Sequence, residues 1–215
     1  MSGQAQTTSD NPQLTGQLKY LSGEDLSVAA SLLLQAYQDD PVFQQIFKAD
    51  KEGYAQRLRA AIREELNSFW QNRQPMFGLF HGETLEGVVC LTRPDQGFSS
   101  QRFWHWRLRM LLTAGYVSTR QLIEKERLIE QAVPYQSYFM LTFIAVHPRY
   151  QQHGLGQLLV QAVDSMLTGD PDAEGVVALA TRPEYEHFLS QHGYQKLSSI
   201  EVGDISGALM SHGRG

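Results

Sequence analysis

The chain contains one cysteine, Cys90, among its 215 residues, which excludes an internal disulfide and fits a reducing compartment. Lysine and arginine form no cluster longer than a pair, and the net charge is −5. Binding to nucleic-acid phosphates is therefore not expected. No apolar run approaches the ~18 residues that cross a membrane, and the first residues lack the basic and apolar regions of a secretory signal. These absences predict a soluble cytoplasmic protein without nucleic-acid or membrane partners.

The sequence does contain enough apolar material for one packed core, since 42% of its residues are hydrophobic and 19% are charged. Its length fits a single domain. Residues 1–16 are polar and predict a flexible lead-in, which leaves 17–215 as the domain. Cys90 lies in an apolar run, and this favours a buried structural thiol over a nucleophile.

Hydrophobic periodicity and turn residues predict strands and helices in an α+β arrangement with a mixed sheet. One helix is expected between a cap at Ser22 and a stop at Pro41, and another over about 52–70. A long helical stretch over 101–132 is expected to split near Gly115. The predicted strands are 17–21, 76–80, 85–92, 138–146, 176–180, 194–202 and 205–210, and a short helix begins at Pro183 and ends before Gly193.

The most informative stretch is 138–167. Residues 138–146 are apolar except for Thr142, which predicts a strand buried on both faces. Apolar residues then recur with helical spacing from Leu155 to Leu167. Between these elements lies the turn 151–156, which contains Gly154 and Gly156.

A turn of this kind has two interpretations. The first turn of a helix offers free N–H groups and the positive end of the helix dipole, and glycines let an anion approach the backbone, so the turn suits a phosphate. Alternatively, Gly154 simply makes a tight connection between strand and helix. The two glycines favour neither interpretation by themselves.

The wider pattern resembles the core motif of the GNAT superfamily of acyl-coenzyme A (acyl-CoA)-dependent N-acyltransferases. It combines a strand ending in Val146-His147-Pro148, the turn Gln151-x-x-Gly154-x-Gly156 and a leucine-rich helix. The resemblance implies a mostly antiparallel mixed sheet flanked by helices, matched from about residue 17 to 210. The longer helical insert at about 99–133 and the early segment 39–43 resemble the branch of puromycin-type and other small-molecule acetyltransferases.

The resemblance also implies how acetyl-CoA is held, and no metal site is implied. The main-chain groups of Ile144, Ala145 and Val146 are expected to pair with the pantetheine arm like an added strand. Gln151, where the family often has arginine, is expected to position the turn by hydrogen bonds and to contribute less charge. The backbone amides of the turn are expected to hold the diphosphate; they belong to Gln152, His153, Gly154, Leu155, Gly156 and Gln157.

A further requirement is a group that protonates the departing thiolate. Relatives often carry a tyrosine at the position of Leu189, four residues before a glycine, and leucine cannot donate a proton. Tyr185 lies one helical turn earlier and is the candidate catalytic acid, although its ring fits packing on the sheet somewhat better. Water can also protonate a thiolate, because the thiol pKa is near 8.5.

The acceptor side offers several candidates, each with a structural alternative. Asp39 and Asp40 are expected to attract a cationic amine, or simply to form a polar helix end before Pro41. His147 is a candidate base, although a surface histidine beside a proline is the stronger interpretation. The aromatic cluster at 103–106 either walls an acceptor pocket or packs the insert on the core.

These observations favour an acetyl-CoA-dependent N-acetyltransferase that acts on a primary amine of a small molecule or peptide. The terminal strands and the insert both offer ways to pair two copies as a homodimer. The alternative is a catalytically silent acyl-CoA-binding sensor or regulatory module, suggested by Leu189. Another kind of nucleotide-binding domain is disfavoured, because only one glycine turn exists and no ribose-binding acid follows at the usual distance.

Overall fold

A computed structural model describes residues 16–94, 116–202 and 205–214. The predicted lead-in, the first part of the helical insert with its aromatic cluster at 103–106, and the turn at 203–204 lie outside these ranges. The described strands are β1 Gln17–Tyr20, β2 Met76–His81, β3 Thr84–Thr92, β4 Tyr138–Val146, β5 Gly175–Ala180, β6 Gln195–Val202 and β7 Ile205–Gly213. The described helices are α1 Leu26–Tyr37, α2 Pro41–Phe47, α3 Tyr54–Gln71, α4 Tyr116–Ala132, α5 Leu155–Gly169 and α6 Pro183–Gln191, with a 3₁₀ turn at Pro148–Tyr150.

The strands form one sheet in the order β1-β2-β3-β4-β5-β7-β6. Every neighbouring pair is antiparallel except β4 and β5, which run parallel. The predicted mixed, mostly antiparallel α+β fold is therefore confirmed. The β4–β5 ladder begins at Tyr138 and Gly175 and ends at Leu141 and Ala178, so the second half of β4 has no described strand on that side.

Helices cover both faces of the sheet. Helices α1, α2 and α3 bury one set of apolar side chains against β3 and β4, with Leu33 and Leu58 fully buried. On the other face, α5 and α6 bury a second set that includes Leu159 and Val163. Truncating one such leucine to alanine typically costs about 2–5 kcal/mol, so these two clusters fix the sheet that carries the site. None of the described helices is both long and apolar enough to cross a lipid bilayer.

A β-bulge at Thr142 alters β4. The pairing with β3 passes from Leu91–Leu141 to Cys90–Phe143, which leaves Thr142 as the extra residue. Leu141 packs with the α5 cluster, and after the bulge Phe143 packs with the α1–α3 cluster. The prediction that both faces of β4 are buried was wrong from Met140 onward, because Met140, Thr142, Ile144 and Val146 are half-buried.

Two helix boundaries also differ from the sequence prediction. Helix α1 begins at Leu26 after a turn in which the Asp25 carboxylate accepts hydrogen bonds from both the N–H and the hydroxyl of Ser22. The short apolar segment after Pro41 is itself a helix, α2. Its N-cap is Asp40, whose carboxylate accepts hydrogen bonds from the first free N–H groups.

Two arginines hold the far end of the sheet and α5. Arg93 follows β3, is buried, and pairs with Asp170 just after α5, while its guanidinium also donates to the Ser137 hydroxyl at 2.7 Å. Arg214 follows β7 and donates to the last carbonyls of α5 and the turn after it, at 2.8–3.0 Å. A guanidinium at a helix C-terminus satisfies orphan carbonyls and offsets the negative end of the dipole.

Candidate functional site

The candidate site lies where β4 and β5 separate. Because their ladder ends at Leu141 and Ala178, the strand edge of β4 beyond Leu141 faces an open wedge. The His147 N–H bonds the Glu86 carbonyl on the β3 side at 2.8 Å. Successive residues of a strand alternate in direction, so the main-chain groups of Ala145 also face β3. Ile144 and Val146 therefore present their N–H and C=O groups to the wedge. The main-chain groups of Ala145, which were also predicted to pair with the pantetheine arm, point toward β3 instead.

The turn before α5 presents free backbone donors beside this wedge. The N–H groups of residues 152–156 bond no acceptor among the described residues, whereas the N–H of Gln157 bonds the Gly154 carbonyl at 3.1 Å. Gln152 and Gly154 have φ angles of +65° and +79°, which turn successive N–H groups to one side. Such a concave set of donors at a helix N-terminus is an anion-binding geometry.

Positions 154 and 156 of the turn are occupied by glycine for different structural reasons. Gly154 has φ +79° and enough space for a Cβ, so its backbone conformation, and not crowding, favours glycine. A Cβ on Gly156 would lie 3.2 Å from the Phe188 ring. Gly156 therefore permits close packing of α5 on α6 as well as access to the backbone.

Gln151 holds the turn against the strand. Its side-chain amide donates to the Val146 carbonyl at 3.0 Å, and this links the end of β4 to the start of the turn. The bond occurs on the wedge side of β4. The expectation that Gln151 positions the turn by hydrogen bonding agrees with this contact.

A second side chain reaches the same strand edge from α1. The Tyr37 hydroxyl donates to the Ile144 carbonyl at 3.0 Å and accepts from the Ile144 N–H at 3.2 Å. Burial raises the pKa of Tyr37 above its ordinary value; Tyr185 and Asp40 add to this, and the bond to Ile144 opposes it. Tyr37 therefore keeps its proton at neutral pH. Sequence analysis did not find this residue, because 107 positions separate the partners and nothing local marks the tyrosine.

Asp40 links the start of α2 to the segment just after β5. It is 1% exposed, and one carboxylate oxygen accepts from the N–H groups of Val42 and Phe43 at 3.0 and 3.3 Å. The other oxygen accepts from the Thr181 hydroxyl just after β5. These contacts are those of a helix cap, the alternative interpretation of this residue, while the neighbouring Asp39 is exposed.

Tyr185 and Leu189 both line the wedge from α6. Leu189 is buried, and Tyr185 is half-buried with the Arg182 guanidinium 5.7 Å from its ring centre. Burial raises the pKa of Tyr185, Asp40 adds to this effect, and Arg182 opposes it. A protonated phenol is thus present near the position where sequence analysis expected an acid.

The wedge is part of a cavity of about 1240 Å³, which extends from the turn before α5 and from α6 to α1, α2 and α3. Aromatic rings form much of its wall. Tyr37 lies edge-on to Phe43 and Phe143, with ring centres 5.4 and 5.6 Å apart, and Phe69 lies 6.3 Å from Phe143. His147 does not line the cavity; its Nδ1 accepts the Arg149 N–H and caps the 3₁₀ turn.

Comparison by sequence finds no matching family model and no matching curated protein. Comparison by structure finds many. The structure of histone acetyltransferase HPA2 and related acetyltransferase from Corynebacterium glutamicum matches with a TM-score of 0.69 and 15% identity, over 93% of this chain and 97% of that one. The chain has the GNAT fold.

Two further structures share the GNAT fold with this chain. Arylalkylamine N-acetyltransferase 2 from Aedes aegypti matches with a TM-score of 0.68 and 11% identity, over 93% of this chain and 99% of that one. PaiA N-acetyltransferase from Thermoplasma acidophilum, solved in complex with coenzyme A, matches with a TM-score of 0.57 and 14% identity, over 94% and 100%. Identities this low establish the fold alone, so the puromycin-type branch stays a prediction.

Proposed function

We propose that the chain is an acetyl-CoA-dependent N-acetyltransferase that transfers the acetyl group to a primary amine of a small molecule or peptide. The observation that carries the proposal is that a strand edge covered by no described strand lies beside a set of free N–H groups. Five residues separate the end of β4 at Val146 from the free N–H groups of 152–156, and both face the same wedge. A long cofactor with an amide-containing arm and a diphosphate requires both features.

The proposed binding mode assigns each part of acetyl-CoA to this chain's backbone. The diphosphate lies against the free N–H groups of residues 152–156, where the dipole of α5 favours negative charge. The amide-containing arm lies along Ile144 and Val146 as an added strand. Gln151 keeps the turn in register with β4 through its bond to Val146, and it contributes no charge toward the diphosphate.

The proposed reaction is direct attack on the thioester. The neutral amine forms a bond to the acyl carbon, the carbon–sulfur bond breaks, the amine loses a proton and the thiolate gains one. A backbone N–H at the wedge that donates to the carbonyl oxygen stabilises the charge that develops there, and such a donor is worth about 3 kcal/mol. Holding both reactants in the wedge supplies much of the remaining acceleration.

Tyr185 is the proposed proton donor to the thiolate. It lines the wedge and remains protonated at neutral pH, since burial raises its pKa. Leu189 lies one turn further along α6 and cannot serve this role. Water is the alternative donor, so loss of the phenol is expected to slow the reaction without abolishing it.

The acceptor side is proposed to take an amine with an apolar or aromatic group. The rings of Phe43, Phe69 and Phe143 line the cavity beside the wedge, and aromatic walls favour such groups. The Asp40 carboxylate already serves three protein donors, which weakens its proposed role in attracting the amine. The exposed Asp39 retains that role as a proposal.

A silent acyl-CoA-binding module is the second candidate, and Leu189 favours it. The two candidates differ in turnover and not in binding. Isothermal titration with acetyl-CoA tests the shared requirement, and a panel of arylalkyl, aliphatic and peptide amines with thiol detection separates them. Binding with turnover supports the enzyme, and binding without turnover on any amine supports the module. Absence of binding rejects both.

A homodimer and a cytoplasmic location remain proposals.

A further inference from the structure

Tyr37 satisfies both main-chain groups of one residue at the open edge of β4. A single hydroxyl donates to the Ile144 carbonyl at 3.0 Å and accepts from the Ile144 N–H at 3.2 Å. The β4–β5 ladder stops three residues earlier, at Leu141, so no described strand supplies these bonds. The hydroxyl replaces a neighbouring strand at this position, and it keeps a half-buried edge from being left unpaired.

The same two groups are the ones that an added strand requires. An extended chain pairs with a strand edge by donating to alternate carbonyls and accepting from alternate N–H groups. At this edge the alternate residues that face the wedge are Ile144 and Val146. Two ligands cannot share the Ile144 N–H and C=O without weakening both sets of bonds.

We propose that Tyr37 occupies the place of the acyl-CoA arm on Ile144 in the free protein, and that binding of the cofactor displaces its hydroxyl. The inference rests on the proposed function, because it requires acyl-CoA to pair with β4. Tyr37 is then a residue that sets cofactor affinity: it stabilises the free form, and its bonds to Ile144 are lost when the arm binds.

The hydroxyl of Tyr37 can be removed without removing the aromatic contacts of its ring. Its ring lies edge-on to Phe43 and Phe143, and phenylalanine retains the ring and these contacts. Tyr37→Phe therefore removes the two hydrogen bonds to Ile144 with little change in packing. Because a typical net hydrogen bond is modest, we expect Tyr37→Phe to bind coenzyme A about 3- to 10-fold more tightly than the unaltered protein.

A matched control is available in the same region. The Tyr54 hydroxyl donates to the Gln38 carbonyl at 2.7 Å, just after α1, and makes no described bond to β4. Tyr54→Phe also removes one phenolic hydroxyl beside the α1–α2 loop. It is expected to leave coenzyme A affinity within about twofold of the unaltered protein, which separates competition at Ile144 from general loosening of the loop.

Hydrogen exchange at the Ile144 amide provides a second measurement that does not depend on affinity. In the free protein the amide is expected to exchange faster in Tyr37→Phe than in the unaltered chain, since its acceptor has been removed. With saturating coenzyme A the two proteins are expected to protect this amide equally, because the arm now supplies the acceptor.

The outcomes distinguish this inference from the proposed function. Equal or weaker coenzyme A binding by Tyr37→Phe, in a protein with unaltered circular dichroism, overturns the inference and leaves the acetyltransferase proposal intact. An Ile144 amide that remains unprotected in Tyr37→Phe with saturating coenzyme A overturns it as well. Failure of the unaltered protein to bind coenzyme A rejects both.

Discussion

The Asp40 carboxylate accepts a hydrogen bond from the Thr181 hydroxyl, which ties the start of α2 to the end of β5. The same carboxylate caps α2, so one buried side chain both stabilises the start of this helix and connects it to the end of β5. Three hydrogen bonds therefore give Asp40 a structural role that does not depend on any role in substrate binding.

The first prediction follows from those contacts. Asp40→Ala removes a helix cap and the acceptor for Thr181, and it is expected to lower the free energy of unfolding by about 2–4 kcal/mol. Thr181→Val is the matched control and is expected to cost about 1 kcal/mol. Urea unfolding measures both. Equal costs for the two variants would contradict the capping role.

A second prediction concerns the two glycines of the turn. Gly156→Ala is expected to lower the melting temperature, because its Cβ would lie 3.2 Å from Phe188. Adding Phe188→Leu removes the ring atoms concerned, and the double variant is expected to regain most of the lost stability. If acetyl-CoA also approaches Gly156 closely, titration of that double variant will still show weakened binding.

Gly154→Ala provides the comparison for this pair. A Cβ at this position would have no atom within 4 Å, but the φ of +79° is strained for alanine, at a cost of about 1 kcal/mol. No change at Phe188 is expected to rescue it. If the Gly156→Ala/Phe188→Leu protein recovers both stability and cofactor binding, Gly156 is needed only for packing against Phe188 and not for close approach of the cofactor.

A third prediction concerns charge at the turn. Gln151→Arg places a guanidinium beside the proposed diphosphate and is expected to tighten coenzyme A binding several-fold at low ionic strength. The gain is expected to shrink as salt rises from ~0.05 to ~0.5 M, because exposed charges are screened. Gln151→Lys tests whether a point charge suffices. A gain that is independent of salt would argue against a diphosphate at this position.

A fourth prediction concerns Tyr185 and pH. Burial, with a smaller contribution from Asp40, raises its pKa above the usual value near 10. The acid form is thus fully present at neutral pH and is lost only as the pH rises through the raised value. If Tyr185 protonates the thiolate, the rate will not fall between pH ~7 and ~9 through loss of this acid.

Tyr185→Phe is the corresponding variant. It is expected to lower kcat by about 10- to 100-fold while the affinity for acetyl-CoA changes little. Single-turnover measurements with a fixed amine separate the two quantities. An unchanged kcat would assign the proton transfer to water and leave Tyr185 as a packing residue.

Much of this fold follows from local patterns in the sequence. The β2–β3 hairpin and the helix of residues 155–169 agree with prediction, because alternation and helical periodicity are strong in each. The order of elements also allowed the GNAT fold to be identified. These are features in which a few neighbouring residues determine the conformation.

The features that local pattern did not predict depend on contacts between distant parts of the chain. Helix α2 has seven residues, too few for a clear period, and Asp40-Pro41 fits the end of one helix as well as the start of another. The β4 bulge is marked only by one polar residue, Thr142. The bonds of Tyr37 to Ile144 join elements that only the folded chain brings together.

The contacts of Arg214 have a practical consequence for producing the protein. Its guanidinium bonds the carbonyls of Leu167, Thr168, Asp170 and Pro171, at the opposite end of the helix that begins at the glycine turn. A purification tag joined closely behind this arginine would crowd those carbonyls and loosen the helix from its far end. A flexible spacer after the arginine should therefore precede any such tag.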